Sequence, residues 1–165
     1  MNKHIFITNG MGGCGKDTFA KVLNEFIPTK KYSSIDVIKD IAKMCGWTGG
    51  KTEKDRKFLS DLKKLVSDYS DLPFLAVSTQ VEWFKFSHTY EVLLIDIREP
   101  ENIKRAVEAF GARTILIDNT RTPYIASNDS DSRVFDYDYD IVILNNGSLE
   151  ELRESVRIFV ELHLK

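Results

Sequence analysis

The sequence has little of what defines several other protein classes. Its 165 residues include two cysteines, Cys14 and Cys45, which are too few for a disulfide framework and favour a reducing cytosol. Its three histidines are scattered singly, so they predict neither a metal cluster nor a catalytic triad. No apolar run approaches the roughly 20 residues of a membrane span, and the first strand begins too early for a signal peptide. We therefore expect a cytoplasmic protein that does not insert into membranes.

An excess of charge of one sign is also missing. The 23 lysines and arginines nearly balance the 25 aspartates and glutamates, so the formal net charge is −2. This balance provides no general basic field for a nucleic acid polymer, and any cationic site must be local. The remaining composition, 42% hydrophobic and 29% charged, is typical of one globular domain with a proper core.

A glycine-rich loop lies between a predicted buried strand and a predicted amphipathic helix. The segment from Gly10 to Lys16 fits the pattern G-x-x-x-x-G-K, in which backbone N–H groups wrap an anion. Lys16 places a positive charge on the outer phosphates, and the helix N-terminus adds a partial positive charge. A glycine-rich turn that binds nothing is the alternative. Because strand, loop and helix occur together in this order, we expect a nucleoside triphosphate site. Its predicted residues are Gly10, Gly12, Gly13, Cys14, Gly15, Lys16, Asp17 and Thr18.

Asp17 and Thr18 depart from the usual form of this loop. Asp17 stands where the pattern has the serine or threonine whose hydroxyl contacts magnesium, and Thr18 follows one residue later. A carboxylate pointing inward would repel a phosphate, so we expect Asp17 to face away or to act through water. Thr18 then supplies the hydroxyl at the phosphates. For Cys14, a small loop residue is favoured over a reactive thiol at a helix N-terminus.

Short apolar runs alternate with segments of helical spacing along the rest of the chain. This alternation is typical of a parallel sheet with crossover helices. After Thr52, two predicted helices follow one another without a strand between them. The first of these carries on its inward face Phe58, Leu62, Leu65 and Tyr69. We expect an α/β fold of three layers, α/β/α, of the P-loop NTPase type, in a single domain of residues 1–165. Its mostly parallel sheet is predicted to have five strands, at 4–9, 31–33, 91–96, 113–118 and 141–144.

The segment of about 119–139 shows no periodicity. A loop of this length inside a compact domain is usually functional, so we expect either a disordered loop or a mobile lid. In a lid, Arg121 and Arg133 would stabilise the charge that builds during phosphoryl transfer while water is excluded. Solvated arginines are the alternative. The many carboxylates of this segment are expected to face solvent or to pair with these arginines.

Asp96 and Arg98, at the carboxyl end of a predicted strand, are candidates for metal binding and phosphate binding. Phosphoryl transfer depends on positioning and charge neutralisation, so cations must converge on the transferring group. Lys16 is the first cation, and Mg²⁺, held by Thr18 or water and by Asp96, is the second. Asp96 ends a buried strand where parallel sheets have their functional edge, and Arg98 is expected to face the phosphates of donor or acceptor. A structural hydrogen bond for Asp96 and an ion pair with a neighbouring glutamate for Arg98 are the alternatives.

The acceptor pocket is expected in the helical segment of about 33–88. An arginine on the long helix, Arg56, is the candidate clamp for an acceptor phosphate. Because Arg56 lies in a dense run of charges, a solvated helix face is the alternative. Aromatic residues at helical spacing in this segment are more often core than base-stacking platforms. The candidate acceptor residues after the second strand are Ser33, Ser34, Asp36 and Lys39.

Four segments in order along the chain carry a family resemblance. They are the loop ending in Gly15-Lys-Asp-Thr18, residues 31–40 (KYSSIDVIKD), Asp96-Ile-Arg-Glu-Pro100 and residues 145–152 (NNGSLEEL). Together they resemble P-loop kinases of the nucleoside monophosphate kinase group, above all the phage-type deoxynucleoside monophosphate kinases. The turn at residues 145–148 is shared with dephospho-coenzyme A kinases. The resemblance implies ATP and Mg²⁺ as cofactors and a nucleotide-like acceptor. It also places at the bound ATP the residues Asn145, Asn146 and Gly147.

Three functions are open at this stage. The first is transfer of the γ-phosphoryl group of ATP to a nucleoside or deoxynucleoside monophosphate. The second is a kinase for another metabolite, such as a dephospho-coenzyme A-like hydroxyl. The third is a nucleotide-binding or regulatory ATPase module without an acceptor. The sequence leaves a homodimer open.

Overall fold

The structure, a computed structural model, describes residues 2–121 and 132–165. One sheet contains the five strands β1 (His4–Asn9), β2 (Thr29–Ser33), β3 (Val92–Asp96), β4 (Arg113–Asp118) and β5 (Ile141–Leu144). Their order across the sheet is β2-β3-β1-β4-β5. The pairs β1–β3, β1–β4 and β4–β5 run parallel, with Ile7 opposite both Ile95 and Thr114. The predicted α/β fold with a mostly parallel five-stranded sheet is confirmed.

The helices begin and end where the sequence carries the corresponding signals. They are α1 (Lys16–Phe26), α2 (Asp36–Met44), α3 (Glu53–Ser70), α4 (Leu72–Phe86), α5 (Pro100–Phe110), a 3-10 helix (Val134–Asp136) and α6 (Leu149–His163). Thr52 and Ser148 cap α3 and α6 through capping boxes. Pro100 opens α5, and Gly111 ends it in the left-handed conformation with φ 63°. None of the helices described in residues 2–121 and 132–165 is both long and apolar enough to cross a bilayer.

The first of two compact units consists of Met1–Lys31 and Ser87–Lys165. Helices α1 and α6 pack against each other over the sheet face that carries Phe6. At the centre of this packing, the ring of Phe159 meets Phe6 at 5.4 Å and Phe19 at 5.8 Å between centroids, both edge to face. All three rings are fully buried, so this aromatic cluster joins the sheet to both helices.

The other face of the sheet is also covered. Ile7 and Ile95 alternate with Phe6 and Leu94 along their strands, so they point to the opposite side. They are fully buried as well. Helix α5 packs along β1, and its Ile103 is buried. The unit therefore has the helix–sheet–helix layering that its alternating pattern predicts.

The second compact unit, Tyr32–Phe86, contains α2, α3 and α4 packed against one another. The prediction for the inward face of α3 is wrong in its second half, because Leu65 is 68% and Tyr69 is 90% exposed. The half-buried positions instead run through Phe58, Leu62 and Val66. Apolar spacing shows which face of a helix can be buried, but burial also requires a neighbouring surface. Within this unit, the neighbouring surface covers the face of α3 that carries Val66 and leaves Leu65 and Tyr69 exposed.

Replacing Phe159 tests the aromatic cluster. The variant Phe159→Ala should lower the free energy of unfolding by about 3–5 kcal/mol, because it leaves a cavity between α1, α6 and the sheet. Leu162→Ala on the same helix, where the side chain is 72% exposed, is the matched control and should change it by less than about 0.5 kcal/mol. Urea unfolding followed by circular dichroism measures both. Equal losses in the two variants would contradict the assignment of the core.

Candidate nucleotide-binding site

The glycine-rich loop joins the end of β1 to the start of α1 at the carboxyl edge of the sheet. Asn9, Asp96 and Asp118 are the last residues of β1, β3 and β4, so they lie at this same edge. In open parallel sheets, ligands bind outside the carboxyl ends of the strands. The sheet therefore brings Asp96 to the side where the loop lies, although the two segments are far apart in sequence.

Two glycines of the loop are required by close approach as well as by backbone conformation. Gly10 has φ 150°, and a Cβ there would lie 2.6 Å from the Cys14 sulfur and would also overlap the Ile117 carbonyl oxygen. Gly15 has φ 100°, and a Cβ there would overlap the side-chain nitrogen of Asn145. Such φ values strongly favour glycine. The loop is therefore a cradle that a side chain at either position would strain, against the backbone at Gly10 and against the Asn145 side chain at Gly15.

The ammonium group of Lys16 lies over the loop backbone. Its Nζ donates hydrogen bonds to the carbonyl oxygens of Gly10 at 2.6 Å and Met11 at 3.0 Å. The Cys14 sulfur lies 3.7 Å from the same nitrogen. The positive charge is thus held within the cradle, where the sequence predicts the phosphates.

Cys14 is a packing residue of the loop. Its side chain is 1% exposed, and it belongs to the main core cluster. Burial raises the pKa of the Cys14 thiol, outweighing the opposing effect of Lys16. The thiolate is therefore disfavoured, which agrees with the interpretation of Cys14 as a small loop residue rather than a reactive thiol.

The turn after β5 supports the loop. The Asn145 side chain donates to the Cys14 carbonyl at 2.9 Å, and its backbone N–H donates to the Asp118 carbonyl at 2.7 Å. The Asn146 side-chain oxygen accepts a hydrogen bond from the Thr120 backbone at 2.8 Å. Gly147 follows as an exposed residue. Asn145 thus contacts the loop directly, while the expected role of this turn at ATP stays a prediction.

Asp96 lies in a network that the sequence does not reveal. One of its carboxylate oxygens accepts a hydrogen bond from the Thr8 hydroxyl, and the other pairs with the Lys31 ammonium at 2.7 Å. Lys31 also pairs with the carboxylate of Asp17, which is 83% exposed. The hydrogen bond from Lys31 is the main cause that lowers the Asp17 pKa. Asp17 is thus exposed and paired with Lys31, and Thr18 beside it is exposed as well. The expected roles of both residues stay predictions.

A metal held here needs oxygen atoms from outside the chain. Among the residues that the structure describes, no three histidine, cysteine, aspartate or glutamate side chains form a cluster able to hold a metal ion. Mg²⁺ is usually bound by one or two carboxylates together with water and substrate phosphates. Asp96 and Thr18 have the hard oxygen atoms that this mode of binding requires, so the residues present fit the predicted ion.

Asn9 and Tyr139 are also absent from the sequence predictions. The Asn9 side chain accepts a hydrogen bond from the Gly10 backbone at 2.8 Å and donates to the Arg98 carbonyl at 3.1 Å and the Tyr139 hydroxyl at 2.7 Å. That hydroxyl donates in turn to the Val134 carbonyl at 2.7 Å. Asn9 thus joins the first residue of the loop to two other segments. A polar residue that ends an apolar strand was the only signal available for it.

The three predicted catalytic arginines occupy different settings. Arg98 lies just after β3 and is half-buried. Arg133 is exposed and forms a two-point ion pair with Glu101 at 3.2 and 3.1 Å, and it also lies 3.6 Å from Asp136. Arg121 is exposed, and residues 122–131 of the lid-like segment lie outside the described residues. The catalytic roles of these arginines and the lid stay predictions.

Four predicted acceptor residues lie at the start of α2 in the second unit, and three of them are in contact. The Ser33 backbone N–H donates to the Asp36 carboxylate at 2.9 Å, and Asp36 pairs with Lys39 at 3.5 Å. Ser34 lies between them in the chain. Arg56 is exposed in the first turn of α3, in the same unit. The contacts of Ser33 and Asp36 are those of a helix start, so their acceptor role is still a prediction.

The sheet order and the glycine-rich loop together match a fold of the P-loop NTPase type. No family model matches the sequence. No curated protein matches it either.

Solved structures with a similar fold include three bacterial proteins. The shikimate kinase of Bacteroides thetaiotaomicron superposes with a TM-score of 0.54 at 12% identity, over 99% of both chains. The tunicamycin resistance protein of Deinococcus radiodurans has a TM-score of 0.54 at 12% identity, over 98% of this chain and 97% of its own. The dephospho-CoA kinase of Campylobacter jejuni has a TM-score of 0.51 at 17% identity, over 96% of each. At these identities the likeness establishes the fold.

Replacing Gly15 tests the cradle. Gly15→Ala should be more destabilising than Gly49→Ala, because the added methyl group overlaps the Asn145 side chain. Gly49 has φ 92° with nothing near its Cβ, so its variant carries only the backbone strain, about 1–3 kcal/mol. Urea unfolding of the two variants separates strain from overlap. Equal losses would show that the contact between Gly15 and Asn145 does not shape the loop.

The Tyr139 hydroxyl should make stability depend on alkaline pH. Burial raises the pKa of Tyr139 from 10.0 to about 12, despite the opposing hydrogen bond from Asn9. The folded state then retains a proton that the unfolded state releases. The contribution of the Tyr139 hydroxyl to the free energy of unfolding is therefore complete below pH 10.0 and declines as the pH rises toward about 12. Tyr139→Phe lacks this titration. The free energy of unfolding, measured in urea from pH 9 to 11, should fall more steeply for the wild type than for Tyr139→Phe, so the difference between them narrows. A difference that stays constant with pH would contradict the raised pKa of Tyr139.

Proposed function

We propose that this chain is an ATP-dependent small-molecule kinase that phosphorylates the phosphate group of a nucleoside or deoxynucleoside monophosphate. The observation that carries the proposal is the glycine cradle around Lys16, placed at the same sheet edge as Asp96. Anion-binding backbone, a cation and a carboxylate are the parts that phosphoryl transfer requires. The sequence resemblance to phage-type deoxynucleoside monophosphate kinases supports the choice of acceptor.

The cradle suits the phosphates of ATP. A Cβ at Gly10 or Gly15 would overlap neighbouring atoms of the chain, so the loop requires glycine at both positions, and α1 begins directly after Gly15 with its N-terminal N–H groups next to the loop. Lys16 would exchange the loop carbonyls for phosphate oxygens. Asp96 and Thr18 would hold Mg²⁺, which neutralises charge on the phosphates when it is bound. Asn145 would keep the loop in its binding shape through the Cys14 carbonyl.

The names of the similar structures support a kinase and leave the acceptor open. A shikimate kinase and a dephospho-CoA kinase both share the fold at TM-scores above 0.5. Their names give two different acceptors, so the fold serves several. For this chain, we assign acceptor recognition to Arg56, whose planar guanidinium suits a phosphate, and to the α2 start around Asp36.

Arginines outside the loop complete the proposed machinery. Arg98 lies two residues after Asp96, the proposed metal ligand, and we assign it to the phosphates of the donor or the acceptor. Arg133 and Arg121 border residues 122–131, and we assign them to charge stabilisation during transfer. Arg133 would first have to leave Glu101, which holds it through two hydrogen-bonding contacts.

Replacing Lys16 tests the transfer. Wild type, Lys16→Met and the control Lys21→Met are incubated with ATP, Mg²⁺ and single acceptors, and products are detected by a gain of about 80 Da, one phosphoryl group. Lys21 is an exposed residue of α1 and has the same charge. Lys16→Met should lower kcat/KM by about 10²–10³-fold, while Lys21→Met should keep it.

The acceptor panel separates the remaining functions. It contains nucleoside and deoxynucleoside monophosphates together with metabolites that offer a hydroxyl group. A product from a monophosphate supports the proposal. A product only from a hydroxyl acceptor identifies another metabolite kinase. If ATP binds but no acceptor gains a phosphoryl group, the chain is a nucleotide-binding module and the proposed transfer is wrong.

A further inference from the structure

Lys31 joins the two carboxylates beside the phosphate loop. Its ammonium pairs with Asp96 at 2.7 Å and contacts the nearest carboxylate oxygen of Asp17 as well. The Lys31 side chain is mostly buried, with 27% exposed, and that of Asp96 is 15% exposed. One cation therefore neutralises two acids that come from α1 and β3.

This arrangement resembles the surroundings of a bound metal ion. The Thr8 hydroxyl holds one oxygen of Asp96, which directs the other oxygen toward Lys31. An ammonium group and a hydrated divalent cation both bind where carboxylate oxygens converge. Two cations on the same oxygen of Asp96 repel each other. A metal ion that binds there therefore competes with Lys31 for that oxygen.

Asp17 gives the displaced lysine a second partner. Its carboxylate is largely exposed, so it keeps Lys31 without much loss of its own hydration. In the usual form of the loop this position has a hydroxyl group, which cannot pair with a lysine in this way. The departure at Asp17 and the otherwise unexplained Lys31 thus have one common explanation.

We propose that Lys31 is a positioning residue whose ammonium group binds the Asp96 carboxylate until a divalent ion replaces it there. Asp17 then keeps the ammonium group nearby through its own ion pair. This inference rests on the proposed function only for the identity of the ion, Mg²⁺. In the absence of the ion, Lys31 prevents repulsion between Asp17 and Asp96 and keeps the Asp96 carboxylate in place. In its presence, the lysine competes with the metal and weakens its binding.

Binding of Mn²⁺, a spectroscopic substitute for Mg²⁺, tests the competition without any phosphoryl transfer. Electron paramagnetic resonance of the protein without nucleotide should show that Lys31→Met binds Mn²⁺ about five- to tenfold more tightly than the wild type. Lys30→Met is the matched control, because it removes the same charge from the neighbouring position of β2, whose side chain points to the other face. Its Mn²⁺ affinity should stay within about twofold of the wild type.

A third variant locates the effect at Asp96. Adding Asp96→Asn to Lys31→Met should remove the gain in Mn²⁺ affinity. Lys31→Gln, which has no charge but still donates hydrogen bonds, should reproduce the gain and serves if Lys31→Met does not fold. Unchanged or weaker Mn²⁺ binding in the folded Lys31 variant, or a gain equal to that of Lys30→Met, overturns the proposal. The kinase proposal fails by a different result, namely that the wild-type protein transfers no phosphoryl group to any acceptor.

Discussion

The close approach of Asn145 to Gly15 is the contact on which the site depends. The carboxamide occupies the space that a side chain at Gly15 would need, and it donates to the carbonyl of Cys14 at 2.9 Å. Its backbone is bound in turn to Asp118, the last residue of β4. The loop shape is therefore supported by β4 and β5 as well as by its own glycines. Because Cys14 is buried in the core, the same contact links the binding cradle to the packing of the first unit.

The charged groups around the loop are paired within the chain. Lys16 lies on the loop carbonyls, and Lys31 lies between Asp17 and Asp96. In the proposed function both lysines would change partners, since Lys16 would turn to phosphate oxygens and Lys31 would give way to a metal ion. Asn9 adds a neutral connection, since its side chain bonds to the loop, to the segment after β3 and to Tyr139.

Much of the fold could be predicted from the sequence, because the signals for it are local. The strands predicted at 113–118 and 141–144 match the structure. Local signals also stand where helices begin, at Thr52 for α3, Pro100 for α5 and Ser148 for α6. The α3 face was predicted wrongly at Leu65 and Tyr69, since apolar spacing does not reveal which neighbour will cover it. Lys31 was missed for a similar reason. A lysine in a short strand has no local feature that indicates two carboxylates beside it.

The sequence by itself determined the strand–loop–helix unit and the glycine positions, because backbone conformation and periodicity depend on residues close together in the chain. Only the tertiary structure decided which distant side chains meet that loop. Asn145 reaches Cys14 across 131 positions, and Asp96 reaches Thr8 across 88, because the strand order places β3 and β4 on either side of β1. Parallel strands bring their carboxyl ends to one edge whatever their separation in sequence. The site is thus the product of a local motif and a sheet order that no local pattern contains.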